Sequence, residues 1–138
     1  MLSVGIDIGG TKVAAGVVDE NGQIVRRIQC PTPSRSPEAV EDAIVESVRE
    51  LSYDLPICAV GIGAAGWIDT EQALVRFSPH LAWRNEPLRD RLSERITVPV
   101  LVDNDANAAA WAEFRFGAGK GSRVMVCLTL GTRSEEHT

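Results

Sequence analysis

Near its start the chain reads Gly5-Ile6-Asp7-Ile8-Gly9-Gly10-Thr11-Lys12, between two apolar, β-prone runs. The pattern predicts strand, turn and strand, with a carboxylate closing the first strand and a hydroxyl and a cation opening the second. A glycine-rich turn lets the backbone approach a ligand and can aim successive N–H groups at one anion. From these residues alone, a phosphate-binding hairpin and an ordinary hairpin with Asp7 as a cap are equally well supported.

The composition is that of an ordinary globular domain. The chain has 138 residues, 44% hydrophobic and 24% charged, enough for a sizeable core. Its net charge of -5 argues against nucleic-acid and anionic-membrane partners. We expect neither a membrane span nor a secretion signal, because no apolar run approaches ~20 residues and no basic region precedes one. Cys30, Cys58 and Cys127 lack metal-ligand spacing, and we expect buried free thiols in a cytoplasmic protein.

The first part of the chain predicts a meander of three antiparallel strands. The strands are predicted at Leu2–Ile8, Lys12–Asp19 and Gln23–Cys30, with Asn21-Gly22 as a two-residue hairpin turn. These strands are followed by a loop rich in proline and serine, which ends the meander.

The rest of the chain alternates between helices and strands. Ser36 as cap and Pro37 as first residue predict the start of a helix, whose acidic residues we expect on a solvated face. Those acidic residues are Glu41, Asp42, Glu46 and Glu50. Later strands are predicted at Ile57–Gly63, Leu74–Phe77, Val98–Val102 and Arg123–Leu130, and later helices at Glu86–Arg95 and Ala106–Phe116. The alternation predicts an α/β fold in which the meander is extended by parallel strands.

Several stretches match part of a known motif but lack residues or a structural context that the motif requires. Gly61-Ile62-Gly63-Ala64-Ala65-Gly66 has the spacing of a dinucleotide fingerprint, but no helical pattern follows it. The stretch at 117–122 lacks the first glycine and the hydroxyl of a P-loop, and the acidic stretch at 103–114 lacks the glycine and the glutamate of a calcium loop. Only His80 and His137 are present, which excludes a histidine-rich metal site within this chain.

Three predicted strands end in polar or glycine-rich loops, at Asp7–Lys12, Gly63–Gly66 and Asp103–Asp105. Ligands bind at the carboxyl ends of the strands in open sheets with parallel strands. Asp105 is the best candidate for a general base that accepts a proton from a substrate hydroxyl, while Asn104 holds neighbouring hydroxyls. Asp105 as a simple cap of the next helix is supported equally well by spacing alone.

Three motifs in the right order resemble the N-terminal half of sugar kinases of the ROK (repressor, open reading frame, kinase) family. They are Asp7-Ile8-Gly9-Gly10-Thr11-Lys12, the glycine stretch at 61–66, and Asn104-Asp105-Ala106-Asn107-Ala108-Ala109-Ala110. Pro79-His80-Leu81-Ala82-Trp83-Arg84 and Trp111-Ala112-Glu113-Phe114-Arg115-Phe116-Gly117 are most similar to glucokinases of the actinobacterial type. The resemblance covers residues 2 to 132.

The resemblance implies an actin-like, ribonuclease-H-like fold of two lobes with ATP and sugar in the cleft between them. Residues 1–121 would form the N-terminal lobe and 122–132 the start of a truncated second lobe. The polar residues 133–138 change character abruptly. They are a solvated terminus or, as we expect, a non-native tail that resembles translated sequencing-adapter DNA.

The resemblance also assigns roles to individual residues. The phosphates of ATP would be bound by Asp7, Gly9, Gly10, Thr11, Lys12, Gly131 and Thr132. The sugar would be bound by Gly63, Ala64, Ala65, Gly66, Asn104 and Asp105. Asp105 would be the catalytic base and Asp7 would hold Mg²⁺ through water, while a zinc site is possible in the missing C-terminal half.

The implied activity of the parent protein is transfer of the γ-phosphoryl group of ATP to the 6-hydroxyl of glucose, a step of glycolysis, by a homo-oligomer. Another hexose could replace glucose, and polyphosphate could replace ATP. Ala65, Trp67 and His80 depart from the family pattern, which leaves the exact sugar open.

A sugar-responsive ROK transcriptional regulator is the alternative. It is disfavoured because such proteins carry a helix-turn-helix domain before the first motif, whereas six residues precede Asp7 here. We expect the chain by itself to be inactive.

Overall fold

The computed structural model describes residues 1–33, 36–64, 67–68, 75–77, 84–104, 108 and 120–121. Its elements in chain order are β1 (Leu2–Ile8), β2 (Lys12–Val18), β3 (Ile24–Pro31), α1 (Pro37–Ser52), β4 (Ile57–Ala64), β5 (Trp67–Ile68), β6 (Val75–Phe77), β7 (Arg84–Glu86), α2 (Leu88–Ser93) and β8 (Val100–Asn104). No helix among these residues is long and apolar enough to cross a membrane.

A five-stranded sheet in the order β3-β2-β1-β4-β8 organises the described residues. The first three strands pair antiparallel as a meander, and β1, β4 and β8 pair parallel. The predicted α/β mixed sheet is confirmed. The parallel pairing places the carboxyl ends of β1, β4 and β8 at one edge of the sheet, which is where the loops singled out in the sequence begin.

One face of this sheet carries the hydrophobic core. Alternate residues of each strand, such as Val4, Ile6 and Ile8 of β1, are buried there because side chains alternate between the two faces of a strand. Helices α1 and α2 pack against this face, and Leu88 and Leu92 of α2 are fully buried. We call this side the core face.

The opposite side, here called the open face, carries mostly small residues. Gly16, Gly5 and Gly61 are in register across β2, β1 and β4, and Leu101 of β8 continues the row with 60% of its surface exposed. A Cβ atom placed on Gly5 or Gly61 would meet nothing within 4 Å. The centre of the open face is therefore formed largely by backbone.

Helix α1 begins where Ser36 and Pro37 predict it. The Ser36 hydroxyl accepts a hydrogen bond from the Ala39 N–H at 3.3 Å, which satisfies one of the donors at the helix start, and Pro37 occupies the first turn. The prediction that Glu41 lies on a solvated face is wrong, since this residue is only 5% exposed. Its Oε1 lies 3.9 Å from Nε of Arg91, because α2 packs over this side of α1. Asp42, Glu46 and Glu50 are exposed as expected.

The turn between β2 and β3 differs from the predicted two-residue hairpin. Asp19 pairs with Gln23 through a 2.9 Å hydrogen bond, and its carbonyl accepts from Gly22 N at 3.0 Å, so the loop has three residues. Gly22 has a φ of 81°. The Asp19 carboxylate also accepts from the N–H groups of Asn21 and Gln23, each at 2.9 Å. These two additional hydrogen bonds to the Asp19 carboxylate favour the longer loop over a tight turn at Asn21-Gly22.

Two element boundaries near residues 86 and 100 also differ from prediction. Helix α2 begins at Leu88 rather than Glu86 because Glu86 pairs with Val75 in a strand. Strand β8 begins at Val100, after Pro99, and its pairing with β4 continues to Asn104 opposite Ala64. The polar residues that were expected to follow the strand therefore form its last part.

A second, three-stranded antiparallel sheet in the order β5-β6-β7 was not predicted. Its strands have two or three residues each, too few for a periodic pattern to identify. The predicted strand Leu74–Phe77 corresponds to β6.

The two cysteines within the described residues are free, as predicted. The prediction that they are buried is wrong. Cys30 is half-buried, and Cys58 is exposed where the register between β1 and β4 shifts. Cys127, the predicted helix at Ala106–Phe116, the predicted strand at Arg123–Leu130, the boundary at 122–132 and the tail at 133–138 lie outside the described residues.

Candidate active site at the carboxyl ends of the parallel strands

The turn between β1 and β2 is formed by Gly9, Gly10 and Thr11. Gly9 N–H donates to the Lys12 carbonyl at 2.9 Å and closes the turn. A Cβ atom on Gly9 would lie 3.2 Å from that same carbonyl oxygen, so a larger residue would press on the backbone. Among the described glycines only Gly22 and Gly121 have a positive φ, so a glycine at position 9 provides space rather than a left-handed backbone.

Two N–H groups of this turn are available to a ligand within the part of the chain that the structure describes. The N–H groups of Gly10 and Thr11 donate to no backbone carbonyl there. Thr11 and Lys12 are exposed, so a hydroxyl and a cation lie beside these donors. Consecutive N–H donors next to a positive charge form a suitable site for an anion.

Asp7 lies on the open face, next to the turn. The parallel register places Gly63 of β4 directly beside Asp7 and places Asp103 of β8 beside Gly63. Asp7 is exposed and Asp103 is half-buried. Two carboxylates therefore lie in one row on the open face. The residue between them, Gly63, has no side chain.

Asn104 and Ala64 belong to the next row. Ala64 is fully buried at the end of β4 and pairs with Ile8 on one side and Asn104 on the other. The N–H of Asn104 donates to Oδ1 of Asp103 at 2.7 Å. The structure thus brings together the described members of the predicted site, which are Asp7, Gly9, Gly10, Thr11, Lys12, Gly63, Ala64 and Asn104.

The other predicted site residues lie outside the described residues. These are Ala65, Gly66, Asp105, Gly131 and Thr132. Asp105 follows in sequence directly on Asn104, the last residue of β8.

Thr32 was not predicted as a residue of the site. This residue follows β3, yet its hydroxyl donates to the Gly9 carbonyl at 2.8 Å and its N–H donates to the Thr11 carbonyl at 3.0 Å. The signal in the sequence was its position between Pro31 and Pro33, which holds a residue in an extended conformation.

A cavity of about 370 Å³ lies at the opposite end of the sheet. Its lining includes Arg49, Ile57, Arg95 and Thr97, and none of the described residues that line it is a carboxylate. It is at the amino end of β4, so it is separate from the row of Asp7 and Gly63.

Comparison with known proteins identifies the family. The family model described as "ROK family" matches residues 3–133. The chain is 52% identical over 131 residues to a glucokinase of Streptomyces coelicolor, covering 95% of this chain and 41% of the relative. It is 42% identical over 131 residues to a glucokinase of Thermotoga maritima, covering 94% and 41%. The chain thus spans about two fifths of the length of these curated relatives.

The fold matches a solved structure of the same family. The crystal structure of a ROK family glucokinase from Streptomyces griseus, in complex with glucose and AMPPNP, superposes with a TM-score of 0.84 at 52% identity. The match covers 88% of this chain and 38% of that one. It confirms the kinase-type, actin-like fold that the sequence motifs implied. With 131 of its residues inside the family model, the chain belongs to the ROK family.

Proposed function

We propose that this chain is the N-terminal part of a glucokinase that transfers the γ-phosphoryl group of ATP to the 6-hydroxyl of glucose. The observation that carries the proposal is the register of β1, β4 and β8, which gathers the glycine turn, Asp7, Gly63 and Asn104 at one edge of the sheet. The Streptomyces griseus relative, which holds glucose and AMPPNP, supports glucose as acceptor and ATP as donor.

The phosphates of ATP are bound by the turn between β1 and β2. The N–H groups of Gly10 and Thr11 and the exposed Lys12 supply donors and positive charge. In this proposal Gly131 and Thr132 begin a second phosphate-binding motif. Phosphoryl transfer requires mainly that the reactants be positioned and their charge neutralised, and a turn without bulky side chains serves both requirements.

Asp7 is the residue proposed to hold Mg²⁺ through water. Within the described residues no three His, Cys, Asp or Glu side chains are grouped around a possible metal position. A single exposed carboxylate fits Mg²⁺, which keeps several waters and binds the substrate phosphates. When bound, the ion supplies neutralisation of the charge on the transferred group.

The sugar is bound at the ends of β4 and β8. In this proposal Gly63, Ala64, Ala65 and Gly66 contact the sugar, and Asn104 donates to and accepts from its hydroxyl groups. Asp105, the next residue, accepts the proton of the 6-hydroxyl as the general base. These assignments rest on the position of Asn104 beside Ala64 and on the family pattern.

The test is a glucose phosphorylation assay on the full-length protein that contains this chain. Asp105→Asn should abolish most of the turnover, whereas Asp90→Asn, on the exposed side of α2, should leave it unchanged. Turnover by Asp105→Asn equal to that of the wild type would reject Asp105 as the base. Assays with mannose, fructose, an N-acetylhexosamine and polyphosphate establish the sugar and the donor.

The isolated chain should not phosphorylate glucose. We propose that residues 1–121 form one lobe and that the cleft is completed by the second lobe, which begins at about residue 122. A catalyst that acts by positioning needs both walls of its cleft. Measurable glucose phosphorylation by purified residues 1–132 would contradict this division.

A further inference from the structure

Thr32 connects the end of β3 to the turn between β1 and β2. Its hydroxyl donates to the Gly9 carbonyl at 2.8 Å, across 23 positions of sequence, and its N–H donates to the Thr11 carbonyl at 3.0 Å. The side chain and the main chain of one residue therefore engage carbonyls on both sides of Gly10.

These bonds determine where the turn directs its donors. In a planar trans peptide the carbonyl and the following N–H point in opposite directions. Because the Gly9 carbonyl is directed at the Thr32 hydroxyl, the Gly10 N–H points away from Thr32. That N–H donates to no backbone carbonyl of the described residues, so it is oriented but available.

The segment that supplies these bonds is itself stiff. Pro31 and Pro33 flank Thr32, and a residue before proline is restricted to an extended backbone. Thr32 is half-buried, which limits competition from water for its hydroxyl. The two bonds thus cost little conformational entropy to form.

We propose that Thr32 is a positioning residue that fixes the β1–β2 turn in the shape that receives the phosphoryl donor. Thr32 acts through Gly9 and Gly10 and does not touch the substrate. The inference rests on the proposed function, because it assigns the turn to the phosphates of ATP. It predicts an effect on donor binding that is separate from sugar binding and from folding.

The experiment compares Thr32→Val, Thr32→Ser and Thr97→Val in the full-length protein. Thr32→Val removes the hydroxyl and keeps the N–H, Thr32→Ser keeps both, and Thr97→Val makes the same change on an exposed residue at the other end of the sheet. We expect Thr32→Val to raise the KM for ATP about 3- to 10-fold, the factor that corresponds to one neutral hydrogen bond. The KM for glucose should stay within about twofold, and Thr32→Ser and Thr97→Val should match the wild type.

Hydrogen exchange at residues 8–13 provides a second measurement, and Thr32→Val should exchange faster there than the wild type or Thr32→Ser. Unchanged KM for ATP in Thr32→Val, or equal losses in Thr32→Val and Thr32→Ser, would overturn the proposal. If the Val variant does not fold, Thr32→Ala takes its place.

If the wild type does not phosphorylate glucose, the proposed function fails. Binding of inorganic tripolyphosphate then decides the role of Thr32, with weaker binding by the Val variant supporting it and equal binding rejecting it.

Discussion

Asp7 and Asp103 lie in one row across the sheet, with Gly63 alone between them. Since neighbouring strands are about 4.8 Å apart, the two Cα atoms are separated by about 10 Å on the same face. The two acidic residues are not equivalent, because Asp7 borders the glycine turn, whereas Oδ1 of Asp103 accepts the N–H of Asn104 at 2.7 Å. Substituting each of them in turn distinguishes an electrostatic role from a structural one.

Asp7→Asn should lower kcat/KM for ATP about 10- to 100-fold, the usual loss when a partner that acts on a metal through water is removed. Asp103→Asn is the matched control, because an asparagine oxygen still accepts the Asn104 N–H and the row keeps its shape. Steady-state kinetics of the full-length protein at several Mg²⁺ concentrations measure both variants. Equal losses in the two variants would contradict a special role for Asp7.

Gly16→Ala and Gly61→Ala should differ in stability although both residues lie in one row of the open face. A Cβ atom on Gly16 would lie 3.1 Å from the Arg26 carbonyl oxygen and 3.2 Å from Cγ2 of Ile24, whereas one on Gly61 would meet nothing within 4 Å. We expect Gly16→Ala to lose about 1–3 kcal/mol of unfolding free energy by overpacking. Gly61→Ala should stay within about 0.5 kcal/mol of the wild type. Urea denaturation of the chain measures the difference, and the opposite order of stability would show that the row is packed differently.

Arg26 and Asp54 make the stability of the β3–α1 contact depend on pH. Arg26 donates two hydrogen bonds to the carboxylate at 2.7 and 3.3 Å and a third to the Leu51 carbonyl at 3.1 Å. The hydrogen bond from Arg26 lowers the pKa of Asp54 below its ordinary value, and the positive charge of the guanidinium adds to the effect. A carboxyl group with a lowered folded pKa stabilises the fold above its ordinary pKa, and this stabilisation is lost as the pH falls through the folded pKa.

Asp54→Asn should therefore lower the urea midpoint near neutral pH, and the difference from the wild type should shrink towards about pH 2. Glu50→Gln, another exposed carboxylate near the end of α1, is the control and should show little change at either pH. Midpoints recorded across this range test the prediction. A difference that grows as the solution is acidified would have the wrong sign.

Leu92→Ala and Leu101→Ala remove the same atoms from opposite faces of the sheet. Leu92 is fully buried on the core face, and its loss should cost about 2–5 kcal/mol of unfolding free energy through lost burial and a cavity. Leu101 is 60% exposed on the open face, and its truncation should cost less than about 1 kcal/mol in this chain. Chemical denaturation of the two variants gives the comparison. Similar losses would mean that the open face is covered in solution.

The sequence predicted those parts of the fold in which local chemistry and packing agree. Ser36 and Pro37 marked the start of α1 because a cap and a proline act within one turn, and β1 ended at Ile8 because glycines follow it. That Asp7, Gly63 and Asn104 lie at one edge of the sheet was expected from the alternation of strands and helices, which favours parallel strands. Asp105 lies outside the described residues, so its role stays a prediction.

The features that were missed depend on contacts between distant parts of the chain. Glu41 is buried because Arg91 of α2 lies over it, and nothing in the period of α1 identifies that neighbour. Strand β8 extends to Asn104 because β4 pairs with it that far. Thr32 reaches Gly9 only through the meander, which brings the exit of β3 beside the entry of β2.

The row formed by Gly16, Gly5 and Gly61 has a consequence for the stability of the five-stranded sheet. Glycine contributes no side chain to be removed from water, so the middle of the sheet gains almost all of its hydrophobic free energy from one side. Among the described residues, one hydrophobic core lies between the sheet and its two helices, so losses on the core face are not compensated on the open face. The contribution of this sheet to the heat capacity of unfolding should accordingly be small for its number of residues, since less apolar surface becomes hydrated when it unfolds.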